Sequence, residues 1–225
     1  MKEPVFTTPD FAGPFRKNAA QILGPLAGQR LSYLEIGVLE GRSGIWMLEN
    51  ILTHPRSLYV GIDCYTQTKR RAAELVANAR RNLGRFGQKA VFHQGSSLLA
   101  LSRLPVRPTF DIAYIDGDHS ALGAVLDTCL VWPLVKPGGI LAFDDWTHPR
   151  FKTFPRLVAA VLTQVQHEVL VENEQLWVRK SMYDAATPRL AQLLTPAVSG
   201  MPPKAGSSQP RLAIMQAIPP ANSAQ

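Results

Sequence analysis

One segment narrows the fold of this chain more than any other: Leu34-Glu35-Ile36-Gly37-Val38-Leu39-Glu40-Gly41-Arg42-Ser43-Gly44. A short apolar run ends in a glycine-rich turn, and the turn leads into a helix with Ser43 as its expected capping residue. A strand passed to a helix in this way places backbone N–H groups at a helix N-terminus, which is the form of a nucleotide pocket.

The glycine spacing bears on which nucleotide. A dinucleotide fingerprint needs glycines at relative positions one, three and six, whereas here they stand at Gly37, Gly41 and Gly44, with Glu35 at the end of the strand. An acidic side chain repels a pyrophosphate but accepts from an ammonium group, directly or through water. The pattern suits a cationic nucleotide bearing an amino acid, of which S-adenosylmethionine is the obvious example. Taken alone, the segment is equally well read as a strand followed by an ordinary glycine turn.

Short apolar runs ended by Gly, Asp or polar turns predict five strands: Leu31 to Ile36, Ser57 to Ile62, Ala90 to His93, Phe110 to Ile115 and Gly139 to Phe143. Helical periodicity separates them. It runs through Ile45, Leu48, Ile51 and Leu52, then through Ala72, Val76, Ala79 and Leu83. A third stripe, Leu122, Val125, Leu126, Cys129 and Leu130, follows the capping residue Ser120. After a helix near Phe154 to Thr163, Gln166 to Val171 and Gln175 to Arg179 read as a hairpin around Glu172-Asn173-Glu174. The expectation is a doubly wound α/β fold: a mostly parallel sheet, seven strands in all, with an antiparallel hairpin at one edge.

Residues 15–180 form the expected folded domain, with 1–14 flexible and a Pro-, Ala- and Ser-rich tail over 181–225; Phe15 to Leu26 read as a short helix covering the pocket. No apolar run spans a bilayer and the N-terminus lacks a secretory pattern, so a cytoplasmic location is expected. Cys64 and Cys129 are the only cysteines and have no metal or redox spacing. The net charge of +7 is concentrated locally: Lys69, Arg70, Arg71, Arg80, Arg81, Arg85 and Lys89 stand against one acid, Glu74. That face is either simply solvated or attracts an anionic substrate or carrier. A nucleic-acid partner is disfavoured, because the fourth strand leads into Asp116-Gly117-Asp118-His119 and no base-methylation motif. The oligomeric state is open, a homodimer included.

Ligands in open α/β sheets sit beyond the carboxyl ends of the strands, and four features fall there. The glycine turn is the first. Asp63 closes the second strand, where a carboxylate accepts from both hydroxyls of a ribose, although such a residue is also a common strand-ending turn. Asp116, followed by Asp118 and His119, ends the fourth strand. Asp144 and Asp145 end the fifth. Carboxylates gathered in a partly desolvated cleft repel one another, and a hard divalent cation such as Mg²⁺ relieves this. Asp144 and Asp145 can share an ion only if the strand has already turned, because successive strand residues point to opposite faces.

The Glu-x-Gly-x-x-x-Gly-x-Ser turn, the Ile-Asp-Gly-Asp-His segment and the Lys-Pro-Gly-Gly-Ile-Leu-x-x-Asp-Asp ending, spread from about Leu31 to Arg179, together resemble the class I S-adenosylmethionine-dependent methyltransferases. The likeness is to the metal-dependent small-molecule O-methyltransferases of the catechol and antibiotic-sugar type, and it extends to a cephalosporin-hydroxylase-like group. The resemblance implies a Rossmann-like fold and O-methylation of a hydroxylated acceptor, assisted by Mg²⁺ or another divalent cation. It implies Asp116, Asp144 and Asp145 as metal ligands. Glu35, Gly37, Gly41 and Ser43 fall around the methionine moiety, with Asp63 at the ribose, Gly95 and Ser96 near adenine, and Asp116 also beside the cofactor. His119 or Asp118 would be the base. Two other readings remain: a non-catalytic S-adenosylmethionine-binding regulator, and a nucleic-acid methyltransferase.

Overall fold

A computed structural model describes residues 3–104 and 106–183. The elements follow in the order α1 (Gly13–Leu23), β1 (Ser32–Ile36), α2 (Arg42–Asn50), β2 (Leu58–Asp63), α3 (Lys69–Gly84), β3 (Ala90–Gln94) and α4 (Ser97–Leu101). They continue with β4 (Phe110–Ile115), α5 (Ala121–Val131), β5 (Val135–Phe143), α6 (Thr153–Leu162), β6 (His167–Glu172) and β7 (Leu176–Lys180). The strands form one seven-stranded sheet in the order β3-β2-β1-β4-β5-β7-β6. The pairs from β3 to β5 are parallel, while β7 runs antiparallel to both β5 and β6. The order reverses between β1 and β4, so a crevice opens above that point.

Alternation along the strands builds a core on each face of the sheet. Leu34, Ile36, Val60 and Ile62 pack on one side beneath α5 and α6, and Tyr33, Tyr59 and Ile112 pack on the other with Phe15 of α1 and Leu48 of α2. Glu35 falls on this second, aromatic face and is fully buried.

The structure departs from the sequence reading in three elements. Helix α4 has only five residues, too few to show a period, and went unread. Strand β5 starts at Val135 rather than Gly139; Pro137 is tolerated because the antiparallel partner β7 pairs only from Ile140 onward. The expected buried stripe of α5 is also wrong: Leu122 is exposed and the helix buries Ala124, Asp127, Thr128 and Val131. A helix so apolar around its circumference selects no face by itself, and packing against α4 and α6 decides.

The segment before α1, expected to be loose, has no regular structure but is held down. Asn82 accepts from Val5 N at 2.8 Å. Glu40, at the tip of the glycine turn, accepts from Thr7 N at 2.9 Å and Thr8 N at 2.9 Å, and from Asn78 at 2.8 Å. Arg42 donates to Thr8 O at 2.7 Å and lies over the Phe6 ring. The tail expected over 181–225 lies, from residue 184, outside the described residues. Among the described residues no helix is long and apolar enough to cross a membrane.

Burial opposes the charge of Glu40, but hydrogen bonds from Thr8, Asn78 and Thr7 outweigh it and hold the carboxyl at about 2. A depressed folded pKa stabilises fully above the ordinary value of 4.5, and the benefit disappears as pH falls from there towards about 2. Glu40→Gln should therefore lower the melting temperature at neutral pH and flatten its fall on the acid side. Calorimetry across that range checks this, and an unchanged acid limb would contradict it.

Candidate functional site

A cleft of about 1210 Å³ lies at the carboxyl ends of β1, β2, β4 and β5, lined among others by Gly37, Asp63, Ser97, Asp116, Asp144 and Phe151. Its floor depends on a close approach. Asp116 N donates to Ile36 O at 2.7 Å, bringing the β4 exit against the glycine turn. Gly37 has φ +89°, and a Cβ there would sit 1.9 Å from Asp116 O. Only glycine fits on both counts.

Helix α2 opens at Gly41, which is left-handed at φ 84° and makes no side-chain cap bond. No side-chain cap therefore stands between this helix N-terminus and the cleft, and such a terminus favours an anionic group. Ser43 is not the cap expected from the sequence. It sits inside the first turn, lines the cleft, and donates to a carboxylate oxygen of Glu35. Tyr59 OH donates to the other oxygen. Glu35 thus lies beneath the cleft rather than in its wall, with both oxygens taken by protein donors. A direct contact between Glu35 and a ligand ammonium group does not fit this arrangement; Glu35 instead orients Ser43. Burial pushes its carboxyl up to about 7 against the opposing hydrogen bonds from Ser43 and Tyr59.

Asp63 does line the cleft. One oxygen accepts from Val38 N at 2.9 Å and Leu39 N at 2.8 Å, and the other from Tyr65 N at 2.8 Å. Leu39 and Tyr65 both have φ 50°, a conformation that costs a non-glycine residue about 1–3 kcal/mol. Asp63 holds both turns in place, and the oxygen that accepts only from Tyr65 keeps a lone pair for a hydroxyl. Of the segment expected near adenine, Gly95 and Ser96 do not line the cleft. Strand β3 extends to Gln94, Ser96 becomes the N-cap of α4, and Ser97, rather than Gly95 or Ser96, reaches the cleft. Asp127 of α5 lies buried behind Ser97, and desolvation raises its carboxyl to about 6 against the Ser97 hydrogen bond. The sequence offered no sign of this acid, because it sits on the helix face read as exposed.

Asp116, Asp144 and Asp145 converge as expected. Strand β5 ends at Phe143, and Asp145 adopts φ 51°, which Asp tolerates better than most residues. The chain has therefore turned before Asp145, and both carboxylates line one cleft. Burial first, then the charges of Asp144 and Asp145, pushes the Asp116 carboxyl well up. The nearness of the Asp144 and Asp145 carboxylates thus disfavours charge on Asp116. Asp144 is raised by burial, against hydrogen bonds from Gln175 and Tyr114. Asp145 is lowered by its hydrogen bond with His119, whose Nε2 lies 3.1 Å from Asp145 and 3.6 Å from Asp116. The His119 ring stacks on Phe151 at 4.5 Å.

Asp118 lines the same cleft but spends its oxygens on Ser120 N at 2.8 Å and Ser120 Oγ at 2.9 Å, fixing the start of α5. Among the described residues no group of three or more His, Cys, Asp or Glu side chains is arranged to hold a metal ion. The three acids expected as ligands share a cleft, with Asp144 held by Gln175 and Asp145 turned to His119, and do not form a ligand set as they stand. Gln175, which donates to Asp144 at 2.6 Å, was missed because its position opposite Asp144 depends on which strand β7 pairs with.

Gly37→Ala should destabilise the protein by ~3 kcal/mol or more through the clash with Asp116 and the forbidden φ. It should also abolish binding of an adenosyl ligand. Denaturant unfolding and ligand calorimetry on the variant check both, and a wild-type unfolding midpoint would refute the close approach.

Comparison with known proteins gives matches in sequence and in fold. Residues 34–146 match a family model described as a methyltransferase domain. An uncharacterised protein, R132 of Acanthamoeba polyphaga mimivirus, is 30% identical over 142 residues, covering 58% of this chain and 58% of that protein. The methyltransferase MycE of the mycinamycin biosynthetic pathway, solved with Mg, SAH and mycinamycin VI, superposes with a TM-score of 0.53 at 17% identity, covering 76% of this chain and 50% of that one. The O-methyltransferase TomG of Streptomyces achromogenes, solved with SAM, superposes with a TM-score of 0.56 at 18% identity, covering 76% and 82%. The chain thus spans between half and three fifths of the length of MycE and R132. At these identities the structural likenesses are of fold. The family match runs from the glycine turn through both acid-bearing strand ends to Trp146, and this chain belongs to the methyltransferase-domain family.

Proposed function

We propose that this chain is an S-adenosylmethionine-dependent methyltransferase that methylates a hydroxyl oxygen of a small-molecule or sugar acceptor with the help of a divalent cation. The observation that carries the reading is the meeting of the Gly37 cradle and the Asp116, Asp144, Asp145 and His119 cluster in one cleft. A volume of about 1210 Å³ exceeds what one drug-sized ligand takes, leaving space for a cofactor and an acceptor side by side. The SAM reported with TomG and the Mg with MycE agree with this reading.

S-adenosylmethionine supplies an electrophilic methyl group on a sulfonium, so the protein's task is to align an acceptor oxygen with it and keep water away. Gly37, the uncapped N-terminus of α2 and Ser43 would hold the amino-acid end, with Asp63 at the ribose and Ser97 at the base. A hard divalent cation supplies Lewis-acid help in removing the acceptor's proton. Asp116, Asp144 and Asp145 have the oxygen donors that would hold such an ion, and its charge would offset the repulsion among them. His119 Nε2 lies beside both Asp145 and Asp116, and would be able to take the acceptor's proton once Asp145 turned away from it towards the ion. Asp118, committed to Ser120, is the poorer base.

With labelled cofactor, Mg²⁺ and a panel of phenols, vicinal diols and sugars, the wild-type protein should yield a methylated product. Asp116→Asn and Asp144→Asn should each reduce that yield at least 100-fold while leaving the cofactor Kd within about threefold. Full activity in a chelator would refute the cation. No transfer to any acceptor, with cofactor bound, would favour a binding protein.

The proposal includes an anionic acceptor. Helix α3 begins just past Thr66 and Gln67, which line the cleft, and Lys69, Arg70, Arg80 and Arg81 are exposed along it. Such a face raises the local concentration of anions in a salt-dependent way. The acceptor KM should rise with ionic strength, and charge reversal of Arg80 and Arg81 should flatten that rise; the same slope in the variant would mean the face is only solvated.

A further inference from the structure

We infer that Gln175 is a positioning residue for Asp144, placed by the antiparallel edge of the sheet. The inference rests on the acid cleft being the reaction site proposed above. The β5–β7 register pairs Ile140 with Arg179 and Phe143 with Leu176. Continuing that register by one step sets Asp144 opposite Gln175, beyond the last ladder pair. Beside them, Trp146 N donates to Glu174 O at 2.8 Å and Trp146 Nε1 to Glu172 at 3.1 Å. The β6–β7 hairpin therefore grips the whole turn that carries Asp144 and Asp145.

The side chain of Gln175 is fully buried and all of its bonding capacity is used. Nε2 donates to Asp144 Oδ1 at 2.6 Å and to Tyr114 OH at 3.2 Å. Oε1 accepts from Trp177 Nε1 at 2.9 Å and from Asn18 Nδ2 at 3.0 Å. An indole N–H can only donate. Trp177 thus forces Oε1 towards itself, and the amide has one orientation, with its N–H groups aimed at Asp144 and Tyr114. Because Tyr114 OH accepts from Gln175, its own proton is left to point towards Asp144. Asn18 belongs to α1, whose preceding residues Phe11 and Ala12 line the cleft.

Neutral donors suit this position. A lysine or arginine beside Asp144 would stabilise the carboxylate but compete with a bound cation, whereas an amide and a phenol orient it and add no charge. Partners in this relation to a metal-binding carboxylate are worth about 10–100-fold in metal affinity. A merely structural glutamine would act equally on every property of the fold.

The test uses Mn²⁺ as the probe, followed by electron paramagnetic resonance, with S-adenosylmethionine affinity and melting temperature measured on the same samples. Gln175→Met keeps the volume and removes the donors. It should weaken Mn²⁺ binding about tenfold or more and leave the cofactor Kd within about twofold. In an Asp144→Asn background the same substitution should have no further effect on Mn²⁺. Trp177→Phe, which frees the amide to turn over, should weaken Mn²⁺ in the same direction but less. Unchanged Mn²⁺ affinity in Gln175→Met, or an equal loss with and without Asp144, overturns the proposal. A crystal structure of metal-free Gln175→Met separates the two levels. If wild-type protein binds no Mn²⁺ yet the Asp144 carboxylate moves in the variant, the cation reading fails and the role of Gln175 stands. An Asp144 carboxylate in its wild-type place overturns that role as well.

Discussion

The contact on which the rest of the site depends is the approach of the β1 exit to the β4 exit, where a Cβ on Gly37 would fall 1.9 Å from the Asp116 carbonyl oxygen. Two parallel strands that carry their ladder this far bring the glycine turn and the first acid of the cluster into one floor. The cofactor end and the acid end are therefore not separate sites. They are two sides of one backbone contact, at the point where the sheet order reverses.

Above that floor the structure distributes negative charge by giving each acid a different set of neighbours. Glu40 collects donors from the N-terminal segment and stays ionised; Glu35 is buried with two hydroxyl donors and titrates near neutrality; Asp63 is surrounded by backbone amides. Asp144 accepts from Gln175, and Asp145 is paired with His119. Three acids thus organise the turns around the cleft, while Asp116, Asp144 and Asp145 line it. Residue type alone does not separate the two groups, since all six are carboxylates within a few residues of a strand end.

Much of this was readable from the chain. The glycine spacing after Glu35 and the apolar strands ending in Asp63, Asp116 and Asp144 came from local pattern, and the mostly parallel sheet with its antiparallel edge from the order of strands, helices and hairpin; the turn before Asp145 stood only as a condition, which its φ of 51° meets. What escaped were elements whose signal was too short or too uniform. Helix α4 spans less than two turns, and α5 is apolar on nearly every side, so Leu122 was placed inside and Asp127 outside. Ser43 looked like a cap because capping serines and serines in a first turn read alike until the left-handed Gly41 is seen to occupy the cap itself.

By itself the sequence determined the class of fold, the strand ends that carry acids and the glycine turn they surround, because period, turn chemistry and φ tolerance are local properties. Only the tertiary structure decided which acids face the cleft and which lie beneath it. It alone brought Ser97 rather than Ser96 to the cleft, pinned Thr7 and Thr8 to Glu40, and set Gln175 against Asp144. These facts depend on strand register and on contacts between residues as far apart as Asn18 and Gln175. Hydrogen bonds and desolvation act over a few ångströms in space, and separation along the chain carries no record of them.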